Sequence, residues 1–203
     1  MTDSTPCRLI LVGMMGSGKT TLGRALSRRT GWPYHDNDVL LQAATGQTAR
    51  QLAAAGAAAL RSAEADALRY ALRLPVPAIV TCAAGVVTDA ALRREMVESG
   101  RVVWLHAPAE VLAERSAGSR HRPWLDSDAA DWLAETARRR EPLYRDIASL
   151  ELRTDGVTPN ELAERIAAWL SKGGCDDRFG TSDQTTIRSS IGTRDAGEME
   201  GDR

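Results

Sequence analysis

The chain has 203 residues, an alanine-rich apolar fraction and few aromatics, which suits one helix-rich α/β domain with a substantial buried core. Its formal net charge of -1 excludes the large electropositive field that a nucleic-acid or membrane-surface partner needs. No apolar stretch approaches the length of a membrane span.

Cys7, Cys82 and Cys175 lack metal-ligand spacing, and their odd number gives no disulfide framework, so they are expected to be buried or incidental thiols. The apolar run at residues 9–15 leads straight into Gly16-Ser17-Gly18-Lys19 rather than a polar cleavage region, so it is not a signal peptide. A cytoplasmic location is the expectation.

Residues 8–12 read as a buried strand running into Gly13-Met14-Met15-Gly16-Ser17-Gly18-Lys19-Thr20, a match to G-x-x-x-x-G-K-[ST]. The match lies between a strand pattern and a helix pattern, where a phosphate-binding loop belongs. Its glycines let backbone N–H groups turn inward around an anionic phosphate, which a β-carbon would obstruct. Gly13, Met14, Gly16, Ser17, Gly18, Lys19, Thr20 and Thr21 are therefore candidate nucleotide contacts. Lys19 reaches the terminal phosphates, and the Thr20 hydroxyl suits Mg²⁺. The helix over residues 20–29 points its positive end at the same place.

Gly31 and Pro33 stop that helix. A short strand at residues 33–35 delivers Asp36-Asn37-Asp38, followed by a short helix that ends near Gly46. Asp36 can hold Mg²⁺ through water, and Asp38 can accept a hydrogen bond from the attacking hydroxyl of a substrate. The plainer alternative for this pair is a helix N-cap plus a turn residue. Residues 56–74 form an alanine-rich helical stretch in which Arg61 and Glu64, three apart, meet on one face. That pair alone could be no more than a solvent-exposed ion pair.

Pro75-Val76-Pro77 breaks the stretch, and residues 78–81 are the next buried strand, entering Cys82-Ala83-Ala84-Gly85. Thr88 or Asp89 caps a helix ending at Gly100. A strand at 101–106 and a helix at 108–116 follow, the latter with proline at its first turn. Residues 117–128 are a polar, basic loop containing Arg120, His121 and Arg122. Such a loop over a phosphate site is a lid, whose closure excludes water and brings an arginine to the developing charge. Arg122 is the best candidate and Arg115, at the base of the loop, the second; His121 reads as incidental.

A helix at 128–140 leads into Glu141-Pro142-Leu143-Tyr144-Arg145, and residues 150–154 are the last strand. Thr158-Pro159-Asn160-Glu161 opens the final helix as a capping box, and the helix runs to about Lys172. This alternation implies a three-layer α/β/α sandwich around a five-stranded parallel sheet, with ligands at the carboxyl ends of the strands. Residues 1–172 form that domain. Residues 173–203, rich in Gly, Ser, Thr and Asp without apolar period, are expected to be a disordered tail.

The guanine-specifying Asn-Lys-x-Asp of GTPases is absent. Residues 8–170 instead resemble the shikimate kinase family in six ordered motifs. These are Gly13–Thr20, Asp36-x-Asp38, Gly56 followed by Leu60-Arg61 and Glu64, the turn after the third strand, Arg122-Pro123-x-Leu125, and Arg140-x-Pro142-Leu143-Tyr144. The resemblance implies a P-loop NTPase fold like that of the nucleoside-monophosphate kinases, ATP and Mg²⁺ as cofactors, and a monomer. It implies phosphorylation of shikimate to shikimate 3-phosphate, in aromatic amino-acid biosynthesis.

The same resemblance gives Arg61 and Arg140 the acceptor carboxylate, which their planar forks suit, with Glu64 orienting Arg61. Backbone N–H groups of the turn at Ala84 and Gly85 would face the acceptor, and Asp38 would hold its hydroxyl. Lys19, Asp38 and Arg122 would be catalytic, Arg115 and Arg122 would contact the nucleotide, and Thr20 and Asp36 would serve the metal.

The chain departs from the family at Ala83-Ala84-Gly85, where Gly-Gly-Gly is usual. Ala57 replaces an acidic residue, Ala53 and Leu60 stand where aromatic wall residues are usual, and the arginine expected before Pro159 is unclear. A kinase for another hydroxy acid such as gluconate, and a nucleotide-binding module without kinase activity, are the contrasting readings. The acceptor-side arginines separate a kinase from a module that only senses nucleotide.

Overall fold

The computed structural model describes residues 6–117 and 129–175. The lid expected at 117–128 falls outside them except for its first residue, as does the tail from residue 176. Five strands form one parallel sheet: β1 (Arg8–Gly13), β2 (Tyr34–Asp36), β3 (Ala78–Thr81), β4 (Arg101–His106) and β5 (Leu150–Arg153). Their order is β2-β3-β1-β4-β5. The central β1 is buried along its whole length, as expected of a parallel strand covered on both faces.

Side-chain alternation along β1 divides the core in two. Ile10 and Val12 face one way, with Val80, Val102 and Trp104, and meet Leu68, Leu92, Met96, Leu133 and Tyr144. Leu9 and Leu11 face the other way, with Ile79, Val103 and Leu105, and meet Leu22, Leu26, Leu162 and Ile166. The first layer comes from α4 (Ala57–Arg73), α5 (Ala90–Ser99) and α7 (Ala129–Ile147). The second comes from α1 (Lys19–Thr30) and α8 (Pro159–Trp169). The three-layer sandwich is as the alternation implied.

Asp89, not Thr88, caps α5, accepting from Ala91 N and Leu92 N; Thr88 instead closes a 3-10 turn at Val86–Thr88. After α2 (Asn37–Thr45) there is a helix the sequence reading did not separate, α3 (Ala49–Ala55), capped by a Thr48/Gln51 capping box. Gly56, at φ 139°, turns the chain between α3 and α4. Helix α7 continues seven residues past its expected end, through Pro142. Proline removes a hydrogen bond and crowds the carbonyl four residues back. Pro142 and Arg138 both lie on the exposed side, where water serves that carbonyl, while burial of Tyr144 and Ile147 holds the helix to the core.

The largest correction concerns the cysteines. Cys7 and Cys175 form a disulfide with Cα atoms 5.8 Å apart across 168 residues of sequence, and Cys82 remains a buried free thiol. Residues 173–175, assigned by sequence to the tail, are held to the domain. Arg101 donates to the Cys175 carbonyl at 3.0 Å, and Trp169 covers Gly174. The spacing gave no sign of the bridge because its halves meet only once β1 and the end of α8 are packed together.

Candidate active site

The carboxyl end of β1 turns into the loop 13–18 before α1. Gly13, Gly16 and Gly18 have φ of 144°, 77° and 91°, a region L-residues with a β-carbon rarely adopt. Two of the three also lack room: a β-carbon on Gly13 would strike the Leu105 carbonyl, and one on Gly16 would lie 2.6 Å from that of Leu112. The loop is thus fastened to β4 and to α6 (Ala109–Ala117). Lys19 Nζ donates to the carbonyls of Gly13 and Met14, both at 2.9 Å, which keeps the ammonium at the mouth of the loop.

Next to the loop, β2 ends in Asp36. Its Oδ1 accepts from Asp38 N at 3.0 Å, capping α2, so the plain N-cap reading of this residue is correct. Its Oδ2 does a second task. It accepts from Thr20 Oγ1 at 3.1 Å and from the Tyr34 hydroxyl at 2.6 Å. Burial and the Asp36 carboxylate push the Tyr34 phenol well above its ordinary range, so it stays a donor at neutral pH. Thr20 and Asp36 together suit Mg²⁺, which takes one or two protein oxygens and otherwise water and phosphate. Among the described residues no group of three or more His, Cys, Asp or Glu could hold a metal.

A cleft of about 630 Å³ runs along these strand ends. Met15, Gly16, Ser17, Gly18, Lys19, Thr20 and Thr21 line it, with Asp36, Asp38 and Ala84 at one end. At the other lie Arg115, Thr154, Val157 and Pro159. Arg115 is tied to Thr154 there, donating to its Oγ1 at 3.0 Å and to its carbonyl at 2.9 Å. The Cys82 thiol also lines the cleft, but burial pushes it up to about 12, so it is inert at neutral pH.

Arg61, Glu64 and Arg140 gather around the turn 83–85 that closes the cleft. Arg61 pairs with Glu64 at 2.8 Å; the Glu64 carboxylate is buried, while the Arg61 side chain stays half-exposed. Gly85 lies at φ −85° and ψ −19°, open to any residue. Its need is space, because a β-carbon there would overlap the Arg61 guanidinium. Arg140 Nη1 and the Tyr144 hydroxyl both donate to the Ala84 carbonyl, at 3.1 and 2.8 Å. Burial draws the Arg140 guanidinium below its ordinary value, with Tyr144 opposing this and the charge of nearby Arg61 adding to it. Arg61, abutting Gly85, and Arg140, bonded to the Ala84 carbonyl, thus place two guanidinium groups on the same turn, with Glu64 balancing one of them.

The phosphate-loop residues 15–20, Asp36, Asp38, Ala84 and Arg115 thus line one cleft, while Arg61, Glu64, Gly85 and Arg140 flank its turn without lining it; Arg122 lies outside the described residues. Ala53 is exposed, and Leu60 packs against a small cluster of Leu41, Leu52 and Ala67. Neither lines the cleft. Sequence reasoning missed Tyr34, Thr81, Tyr144 and Thr154. Only Tyr144 carried a signal, as the last residue of the Arg140 motif.

A family model for shikimate kinase matches residues 15–171. The chain belongs to the shikimate kinase family. Curated shikimate kinases are 38% identical over 173 residues in Nitratidesulfovibrio vulgaris, covering 83% of this chain and 98% of that one, and 31% identical over 170 in Moorella thermoacetica, covering 81% and 97%. The solved shikimate kinase from Acinetobacter baumannii in complex with shikimate has a TM-score of 0.78 at 28% identity, covering 83% of this chain and 95% of that one. A gluconokinase from Sinorhizobium meliloti, at 23% identity and a TM-score of 0.52, shares the fold over 82% of this chain and 93% of its own. Like its shikimate kinase relatives, this protein is a phosphotransferase acting on an alcohol. In its turn 83–85 the Ala84 carbonyl is fixed by two donors.

Proposed function

We propose that this chain transfers the γ-phosphoryl group of ATP to a ring hydroxyl of shikimate, giving shikimate 3-phosphate. The observation that carries the acceptor is the pair Arg61 and Arg140, drawn together at the turn beside the phosphate-binding loop. A carboxylate set between two guanidinium forks is gripped bidentately. Glu64 holds the Arg61 fork in one direction, which lowers the entropy lost when the acid binds.

With the acid so placed, its hydroxyl lies toward Asp38, which orients it for attack and accepts its proton. Lys19 neutralises charge on the transferring group, and the N–H groups of the loop 13–18 hold the other phosphates. Thr20 and Asp36 would hold Mg²⁺, which would supply positive charge to offset that of the phosphates. Arg115, tied to Thr154, forms the nucleotide wall, and Arg122 is assigned to the closing lid by family resemblance. In-line transfer needs no covalent enzyme intermediate, so rate comes from alignment and fixed charge.

We assign the protein to the cytoplasm as a monomer; in that setting the Cys7–Cys175 bridge would be open to reduction. Among the described residues no helix is long and apolar enough to cross a membrane. An ATP-consumption assay against shikimate, quinate and gluconate tests the acceptor. Shikimate should be preferred by a wide margin in kcat/KM. Preferential turnover of gluconate, or of none of the three, overturns the assignment.

A further inference from the structure

Strand β2 has three residues, and its alternation sends Tyr34 and Asp36 to the same face. The parallel register sets Asp36 opposite Thr81 and Tyr34 opposite Ile79, so Thr81 shares that face. Gly23 on α1 makes room for the tyrosine, since a β-carbon there would collide with its ring. The phenol thus reaches along the strand to its own neighbour two residues on.

The Tyr34 hydroxyl lies 2.6 Å from Asp36 Oδ2 and 3.2 Å from Thr81 Oγ1. Thr81 is buried, with 3% exposure. If its hydroxyl donates to Tyr34 Oη, the phenol proton is directed at Asp36. A chain Thr81 to Tyr34 to Asp36 then forms, each bond polarising the next. With Thr20 on the same Oδ2 and Asp38 N on Oδ1, three donors fix the plane of one carboxylate.

We propose that Tyr34 is a positioning residue for the metal end of the cleft, holding the Asp36 carboxylate in the orientation at which it and Thr20 receive a nucleotide-bound Mg²⁺. This rests on the proposed role of Thr20 and Asp36 toward the metal. The α2 cap fixes Oδ1 only, and a cap alone leaves the carboxylate free to rock about that bond. The phenol, anchored on the buried Thr81, removes that freedom. Outer-shell partners of this kind set ligand direction and are worth roughly 10-fold or more in metal affinity.

Tyr34→Phe removes the hydroxyl and keeps the ring against Gly23. The test is isothermal titration of a non-hydrolysable ATP analogue with Mg²⁺ present and with EDTA, beside initial rates at varied Mg²⁺ and varied shikimate. In the wild type Mg²⁺ should tighten the analogue. In Tyr34→Phe that gain should shrink by roughly 10-fold, with metal-free affinity and the shikimate KM unchanged and the apparent KM for Mg²⁺ raised. Thr81→Val, which cuts the chain at its far end, should move the same quantity in the same direction by less, and it serves if Tyr34→Phe does not fold.

An undiminished Mg²⁺-linked gain in both variants overturns the proposal. So does an equal loss of affinity with and without metal, the mark of a merely structural role. If the wild type shows no Mg²⁺-linked gain, or Asp36→Asn keeps it undiminished, the underlying metal assignment fails, and the proposal fails with it.

Discussion

At the scale of single residues, Gly85 and Arg140 separate fold from function. The backbone of Gly85 is ordinary, so Gly85→Ala carries no conformational strain, and its β-carbon meets only the tip of a flexible arginine. The variant should fold and melt like the wild type while displacing Arg61, raising the acceptor KM roughly 10-fold with little change for ATP. A fall in Tm with unchanged KM would show that the close approach is packing alone. Arg140→Ala removes a charge-assisted contact, worth about 1.5–3 kcal/mol, or roughly 10- to 150-fold in acceptor binding. Equal losses for ATP and acceptor in steady-state kinetics would contradict a carboxylate role. The glycines of the phosphate loop were legible because each answers a local demand for positive φ. Gly85 answers a demand set by a side chain 24 residues away, which no local pattern displays.

At the scale of elements, the turn 83–85 and helix α7 act as one unit. Extension of α7 through Pro142 sets Tyr144 beneath the turn, where with Arg140 it holds the Ala84 carbonyl. The peptide proposed to face the acceptor is therefore fixed from below by α7, not by glycine at 83 and 84. Replacing both alanines by glycine should change the shikimate KM only modestly, since the backbone donors already exist. A rise in kcat/KM of more than about tenfold, about 1.4 kcal/mol, would mean that the methyl groups had reshaped the pocket for another acid. The turn sequence signalled this departure from the family. The compensating contacts were not readable, because the expected end of the helix at 140 left Tyr144 outside any periodic face.

At the scale of the whole molecule, the Cys7–Cys175 bridge joins the start of β1 to the segment after α8 and lies apart from the cleft. Closing so long a loop restricts the unfolded chain, and opening it should lower stability by about 2–5 kcal/mol. Dithiothreitol should therefore lower Tm, leave kcat with shikimate unchanged, and have no effect on a Cys7→Ser/Cys175→Ser chain. Identical melting with and without reductant in the wild type would remove the bridge from the account. The sequence alone determined the parallel sheet and the phosphate loop with its glycines, and it marked Asp36-x-Asp38, while the arginines at 61 and 140 stood out only through the family resemblance. Each rests on short-range rules: side-chain period, the steric freedom of glycine, and motif spacing. Only the tertiary structure decided that Tyr34 and Thr81 converge on Asp36, that Arg140 braces the turn at Ala84, and that Cys7 meets Cys175. Those contacts depend on strand order and helix packing, which bring distant residues within bonding distance and leave no periodic trace in the chain.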